Sequence, residues 1–122
     1  MLVPSPLPEG WIATSAEVEP GATPVWRVGM LTEERAFVGL RQSDVSAESL
    51  LEDAYPDEEP VAADALTVPG AVVEGWDGWV LGEDEDADRA YTAEWDGVSV
   101  LVHGSADAED LEQVIELLTE QR

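Results

Sequence analysis

The chain is poor in the side chains that usually carry chemistry. It has one histidine, His103, no cysteine and no lysine, against 28 aspartates and glutamates. His103 is followed by Gly104 and Ser105, which is the nearest approach to a general base beside a hydroxyl nucleophile. A lone histidine at a strand end serves structure more often than catalysis, and the structural reading is preferred. No G-x-S-x-G elbow, phosphate-binding glycine loop or two-histidine metal spacing occurs in the chain. Carboxylates are abundant, yet no pair is singled out by its setting. The expectation is therefore a protein that is not an enzyme and needs no cofactor, with a carboxylate-based enzyme as the third-ranked alternative.

A second candidate is "EDEDAD", residues 83–88, five acids in six positions. Asp84, Asp86 and Asp88 alternate like the first three ligands of a calcium loop, which makes them the candidate cation site. The match then fails: the sixth position, normally glycine, is Arg89, and the twelfth, normally a bidentate glutamate, is Trp95. A solvated link between two hairpins is the favoured reading, with no metal. On either side of that run stands the tripeptide Trp-Asp-Gly, at Trp76–Gly78 and Trp95–Gly97. Asp-Gly suits two-residue hairpin turns, because both central positions take positive φ. Two such turns are expected, the first framed by Trp76 and Trp79 and the second by Trp95 and Val98. Trp76 and Trp79 are also the candidate interaction surface, on the condition that they share one exposed face.

The charge is lopsided. Residues 1–41 carry five acids and three arginines; the remainder carries 23 acids and two arginines, within a net charge of −23. Such a field disfavours nucleic acid and direct binding to anionic membrane surfaces. Arg27, Arg35 and Arg41 all fall on one expected hairpin, and pairing with the domain's own acids is their favoured role. The meaning of the charge is left among solubility, salt adaptation and mimicry of a polyanion.

These residues need a scaffold, and 122 residues suffice for one domain with one core. Pro4, Pro6 and Pro8 alternate in the opening segment, which favours extended chain. Residues 1–9 are expected to be a proline-rich tether, with a single α+β domain over residues 10–122. A tether implies an attachment before it, and so a native start other than Met1. Strands are expected at "GWIATSAEV", "VWRVGML" and "RAFVGLRQ", the last two forming a hairpin through "TEE". Gly29 and Gly39 inside them mark a bulge or a close neighbour. Ser46 is the expected N-cap of a helix whose apolar face is Ala47, Leu50, Leu51 and Ala54, and Pro56 stops it. "PDEEPVAAD" is expected to be an exposed loop.

Four further strands are read at "AVVEGW", "WVLGE", "RAYTAEW" and "VSVLVHG". The last is apolar on both alternating sets, so it should be central and buried on both faces. A closing helix over Asp107–Glu120 presents Leu111, Val114, Ile115 and Leu118 as a stripe. The sum is a largely antiparallel sheet of five to seven strands, with two helices packed on one face.

The order "LPEGW…TSAEV", "WRVGMLT…FVGLRQS", "VEGWDGWV" and "VSVLVHGSADAEDLEQVIELL" resembles an actinobacterial family, domain of unknown function 4245, over nearly the whole chain from Leu7. The resemblance implies an extracytoplasmic domain carried behind one N-terminal membrane helix, and it implies no activity or site residue. On this basis the leading expectation is a cell-envelope binding or interaction domain, displayed outside the membrane, with an envelope protein or ligand as its partner. The alternative is a domain that binds a small ligand or divalent cation through its acidic second half.

Overall fold

The computed structural model describes residues 2–21, 23–82 and 87–120. In chain order the elements are β1 (Leu2–Pro4), β2 (Ile12–Glu19), β3 (Val25–Leu31), β4 (Phe37–Ser43), α1 (Ala47–Ala54), β5 (Pro60–Thr67), β6 (Gly75–Leu81), β7 (Asp88–Trp95), β8 (Val98–Gly104), α2 (Ala108–Leu117) and β9 (Leu118–Glu120). Seven strands form one antiparallel sheet in the order β2-β3-β4-β8-β7-β6-β5, and β1 pairs with β9 in a separate ribbon. The sheet is two meanders, β2 to β4 and β5 to β8, joined through α1. The last strand of each meander meets the other at the centre, where Leu40 opposes Val102 and Arg41 opposes Leu101. The α+β class and the antiparallel sheet are as the sequence implied.

The helices do not share a face. Val100 and Val102 point into a cluster with Leu111, Val114 and Ile115 of α2. Leu101 points the other way, into a cluster with Leu50 and Leu51 of α1. The reason lies in β8 itself: a strand apolar on both faces must be covered on both, and one helix serves each side. Helix α1 starts at the expected cap, Ser46, whose Oγ accepts from the Ser49 amide at 3.2 Å. It buries Leu50 and Leu51. Helix α2 ends earlier than the stripe suggested, since Leu118 is buried at the start of β9 rather than in a last helical turn.

The opening segment is not a free tether at Leu2–Pro4, which pairs with Leu118–Glu120. Leu2 is fully buried, and its backbone is clasped by the buried Gln42 side chain. The Leu2 amide donates to Gln42 Oε1 at 2.7 Å, and Gln42 Nε2 donates to the Leu2 carbonyl at 2.6 Å. An amide side chain here completes the bonding of a strand end that would otherwise be buried unpaired.

Two other expectations are corrected. The expected loop "PDEEPVAAD" runs into β5, an edge strand. It lacks the alternation of a half-buried strand because it is exposed along most of its length. Its proline first residue, its bulge between Ala63 and Leu66 and its Asp64 are devices that discourage further pairing at an edge. The first Trp-Asp-Gly is not a turn: Gly75–Leu81 is one continuous strand, with Asp77 opposite Thr92 and Gly78 opposite Tyr91. At Gly78 a Cβ would run into the Asp64 backbone carbonyl, so glycine is there for close approach beside the bulge. The second copy is the expected turn. Asp96 and Gly97 have φ of 52° and 78°, and Trp95 opposes Val98.

Candidate functional site

The register of the β3–β4 hairpin sets two unusual pairs side by side on the face that carries α1. Arg27 lies directly opposite Arg41, and Gly29 directly opposite Gly39. Two arginines facing each other across a ladder repel. Asp53 of α1 resolves this, accepting from Arg41 Nη1 at 2.7 Å and Arg27 Nη2 at 3.2 Å, while Glu19 takes a second bond from Arg27 at 2.6 Å. Pairing with the domain's own acids, the favoured role, is thus what Arg27 and Arg41 do. Burial, then the adjacent Arg27 charge, lowers the Arg41 pKa, and Asp53 opposes both. Arg35 sits apart, at positive φ in the link between the strands.

The two glycines make space for rings. A Cβ on Gly39 would lie 2.5 Å from His103 Nε2 and 3.0 Å from Phe37, and one on Gly29 would lie 3.4 Å from Phe37 and 2.7 Å from Ser15 Oγ. His103 opposes Gly39 across β4 and β8. With no side chain beneath them, the imidazole and the Phe37 ring lie close to the backbone, their centroids 5.9 Å apart. Between these rings, the arginines and Tyr55 at the end of α1 is a cleft of about 350 Å³.

Hydrogen bonding fixes the state of the histidine. Tyr55 donates its hydroxyl proton to Asp88 Oδ2 at 2.8 Å, and the same oxygen lies 2.9 Å from His103 Nδ1. The tyrosine proton being committed to the carboxylate, Nδ1 must donate to Tyr55, and the lone pair is left on Nε2. Burial first, and the Arg41 charge second, bring the His103 pKa down to about 4. Burial raises the Tyr55 pKa, and the bond to and charge of Asp88 raise it further. The imidazole is therefore neutral at physiological pH.

Among the described residues Arg27 Nε is the one buried side-chain polar atom without a hydrogen-bond partner; closed off from the cleft, it is an internal cost of roughly 1–3 kcal/mol rather than a contact for a ligand.

The residues that the sequence singled out fare unevenly. Asp88 is in the cleft, as the acceptor of the Tyr55 bond rather than as a cation ligand; Asp84 and Asp86 lie outside the described residues. Among the described residues, no group of three histidines or acids is arranged to hold a metal ion. Trp76 and Trp79 do not form a surface. Three positions apart on one strand, they point to opposite faces, Trp76 buried in the α2-side core and Trp79 packed against the α1-side core. Each indole is held internally, Trp76 by the Val73 carbonyl and Trp79 by Thr92 Oγ1. His103 and Ser105 do not pair either, because Ser105 Oγ accepts from the Phe37 amide at 3.0 Å.

Tyr55, Phe37 and the facing of Gly29 and Gly39 escaped the sequence reading. A signal existed: Gly29 and Gly39, like Arg27 and Arg41, are equidistant from the centre of the hairpin link, so any antiparallel register through Glu34 sets each pair face to face.

Fold and site together define an antiparallel α+β domain with a helix on each face and a polar cleft beside α1. The family model "Protein of unknown function (DUF4245)" matches residues 1–118, and the chain belongs to that family. Comparisons with curated proteins and with solved structures returned no match. Among the described residues, no helix is long and apolar enough to cross a membrane.

Proposed function

We propose that the domain is a non-enzymatic binding module of the cell envelope, displayed outside the membrane, and that its ligand sits in the cleft between α1 and β2–β4. The cleft itself carries this reading, a hollow of about 350 Å³ in which the His103 and Phe37 rings lie over a pair of facing glycines beside two arginines. A binding role fits the poise of the groups better than catalysis. An imidazole whose pKa is about 4 is a weak base at neutral pH, and a tyrosine with a raised pKa is a weak acid. The volume, about 350 Å³, lies at the lower end of small-molecule sites. The envelope placement rests on the family resemblance, and the net charge of −23 is consistent with a domain that stands off anionic lipid.

The test is an NMR titration of the ¹⁵N-labelled domain with fractionated small molecules from envelope extracts. Saturable shifts centred on Gly29, Gly39 and His103 are the expected result. Shifts confined to the opposite end of the sheet, around Trp79 and Pro60, would remove the cleft from consideration. Placement is checked separately, by protease accessibility of the full native product on intact cells; a protected domain would refute it.

A further inference from the structure

A second hollow lies against the other half of the sheet and shares no lining residue with the cleft. It is a groove of about 560 Å³. Its floor and walls are apolar: Leu51 of α1, Pro56 and Pro60 at the two ends of the connector into β5, and Trp79 of β6. The Trp79 N–H is committed to Thr92 Oγ1 at 2.9 Å, and the indole packs against the α1-side core. The groove therefore presents a fixed aromatic surface with no polar demand of its own.

Around this apolar floor stand exposed acids, Glu48 and Glu52 one turn apart on α1, and Asp57, Glu58 and Glu59 in the connector. Glu48 and Glu52 repel each other at i, i+4. Among the described residues, the ion pairs are made by Arg27 and Arg41 with Glu19 and Asp53, and none reaches this rim. Nor do the acids converge: no group of three described histidines or acids is arranged to hold a metal ion. Negative charge spread around an apolar floor suits an occupant whose positive charges are held apart along a chain. An ammonium group would answer the carboxylates alone, whereas a guanidinium answers them and also stacks flat on an indole. The net charge of −23 speeds the approach of such a partner. We infer that the groove between α1, the connector and Trp79 docks a basic segment of a partner protein, with an arginine stacked on Trp79 and neighbouring positive charges on the acidic rim.

The experiment titrates the whole ¹⁵N-labelled chain with short synthetic peptides in which arginine, lysine or glutamine alternates with leucine and serine, and separately with spermidine and with calcium chloride. The arginine peptide is expected to move the Trp79 indole N–H and the amides of Glu48, Glu52 and residues 57–59 saturably, with the glutamine peptide silent. Trp79→Leu should weaken that binding roughly ten-fold, as expected for loss of a desolvated cation–π contact. Glu48→Gln combined with Glu52→Gln should weaken it too; both side chains are exposed, so this pair stays informative if Trp79→Leu does not fold. Glu9→Gln combined with Glu109→Gln removes the same charge from exposed positions elsewhere and should leave binding unchanged. Equal losses from the two pairs would reduce the effect to net charge and overturn the groove. Lysine peptide or spermidine binding as tightly as the arginine peptide overturns the stacked arginine. Calcium moving these amides while the arginine peptide does not overturns the peptide in favour of an ion. Shifts that fail to saturate, or that centre on Gly29 and Gly39, overturn docking at this groove.

Discussion

Replacing His103 should change how stability depends on pH, and the size of the change follows from the structure. The native imidazole, 6% exposed and held as a donor to Tyr55, has its pKa brought from 6.5 to about 4, by burial first and by Arg41 second. Its unfolded counterpart titrates near the ordinary value. The folded pKa is the lower one, so the stabilising contribution is complete above pH 6.5 and is lost as pH falls toward 4. The full difference, at 1.36 kcal/mol per unit, is about 3 kcal/mol. Between pH 7.5 and pH 5 the unfolded histidine gains nearly a whole proton and the native one very little, which costs about 2 kcal/mol.

The assay is urea unfolding of wild type and His103→Gln at pH 7.5, 6.5, 5.5 and 5.0 at constant ionic strength. Acids titrate in both proteins, so the quantity of interest is the difference in slope. Wild type should lose about 2 kcal/mol more than the variant across this window. Because the chain has a single histidine, its imidazole resonance reports the native midpoint directly. A midpoint near 6.5, or parallel stability curves for the two proteins, would refute the burial and hydrogen-bond argument.

Three further outcomes are expected. Gln42→Leu should destabilise by about 3 kcal/mol and expose the Leu2–Pro4 amides to hydrogen exchange, because it strands two buried backbone groups; unchanged protection at Leu2–Pro4 would count against the clasp. Asp53→Asn should cost about 1 kcal/mol at low salt, and less as salt screens the half-buried Arg27–Arg41 repulsion; denaturation at two ionic strengths reads this, and a salt-independent loss contradicts it. The two Trp-Asp-Gly copies should respond differently to Gly→Ala. Gly78→Ala meets the Asp64 carbonyl and should cost more than about 2 kcal/mol, whereas Gly97→Ala meets open space and should cost only the positive-φ penalty, about 1–2 kcal/mol. Thermal melts rank them, and the reverse order would mean that the strand assignment of Gly78 is wrong.

That contrast also shows where sequence reading stops. Residues 76–78 and 95–97 are chemically identical, and both satisfy the local preference for a two-residue turn. What separates them is β5, whose bulge places the Asp64 carbonyl against Gly78 and so makes a strand of the first copy. Residues 60–67 carry no strand signature for a related reason: an exposed edge strand has no alternating burial to write into its sequence.

Local features were legible because their causes are local. Ser46 capping α1, the β3–β4 hairpin, the Asp96–Gly97 turn and the doubly apolar β8 each depend on a few adjacent residues. The exclusion of thiolate chemistry likewise follows from composition alone, since the chain has no cysteine. The cleft was not legible. Arg27 and Arg41 come from one hairpin, but Asp53 and Tyr55 reach them from α1, Asp88 from β7 and His103 from β8. The sequence by itself determined β2, β3, β4, β7, β8 and the two helices, and that β8 would lie at the centre. Only the tertiary structure decided that Tyr55 would bridge Asp88 and His103 over a pair of glycines, because that contact depends on pairing register and helix placement across 48 residues of chain.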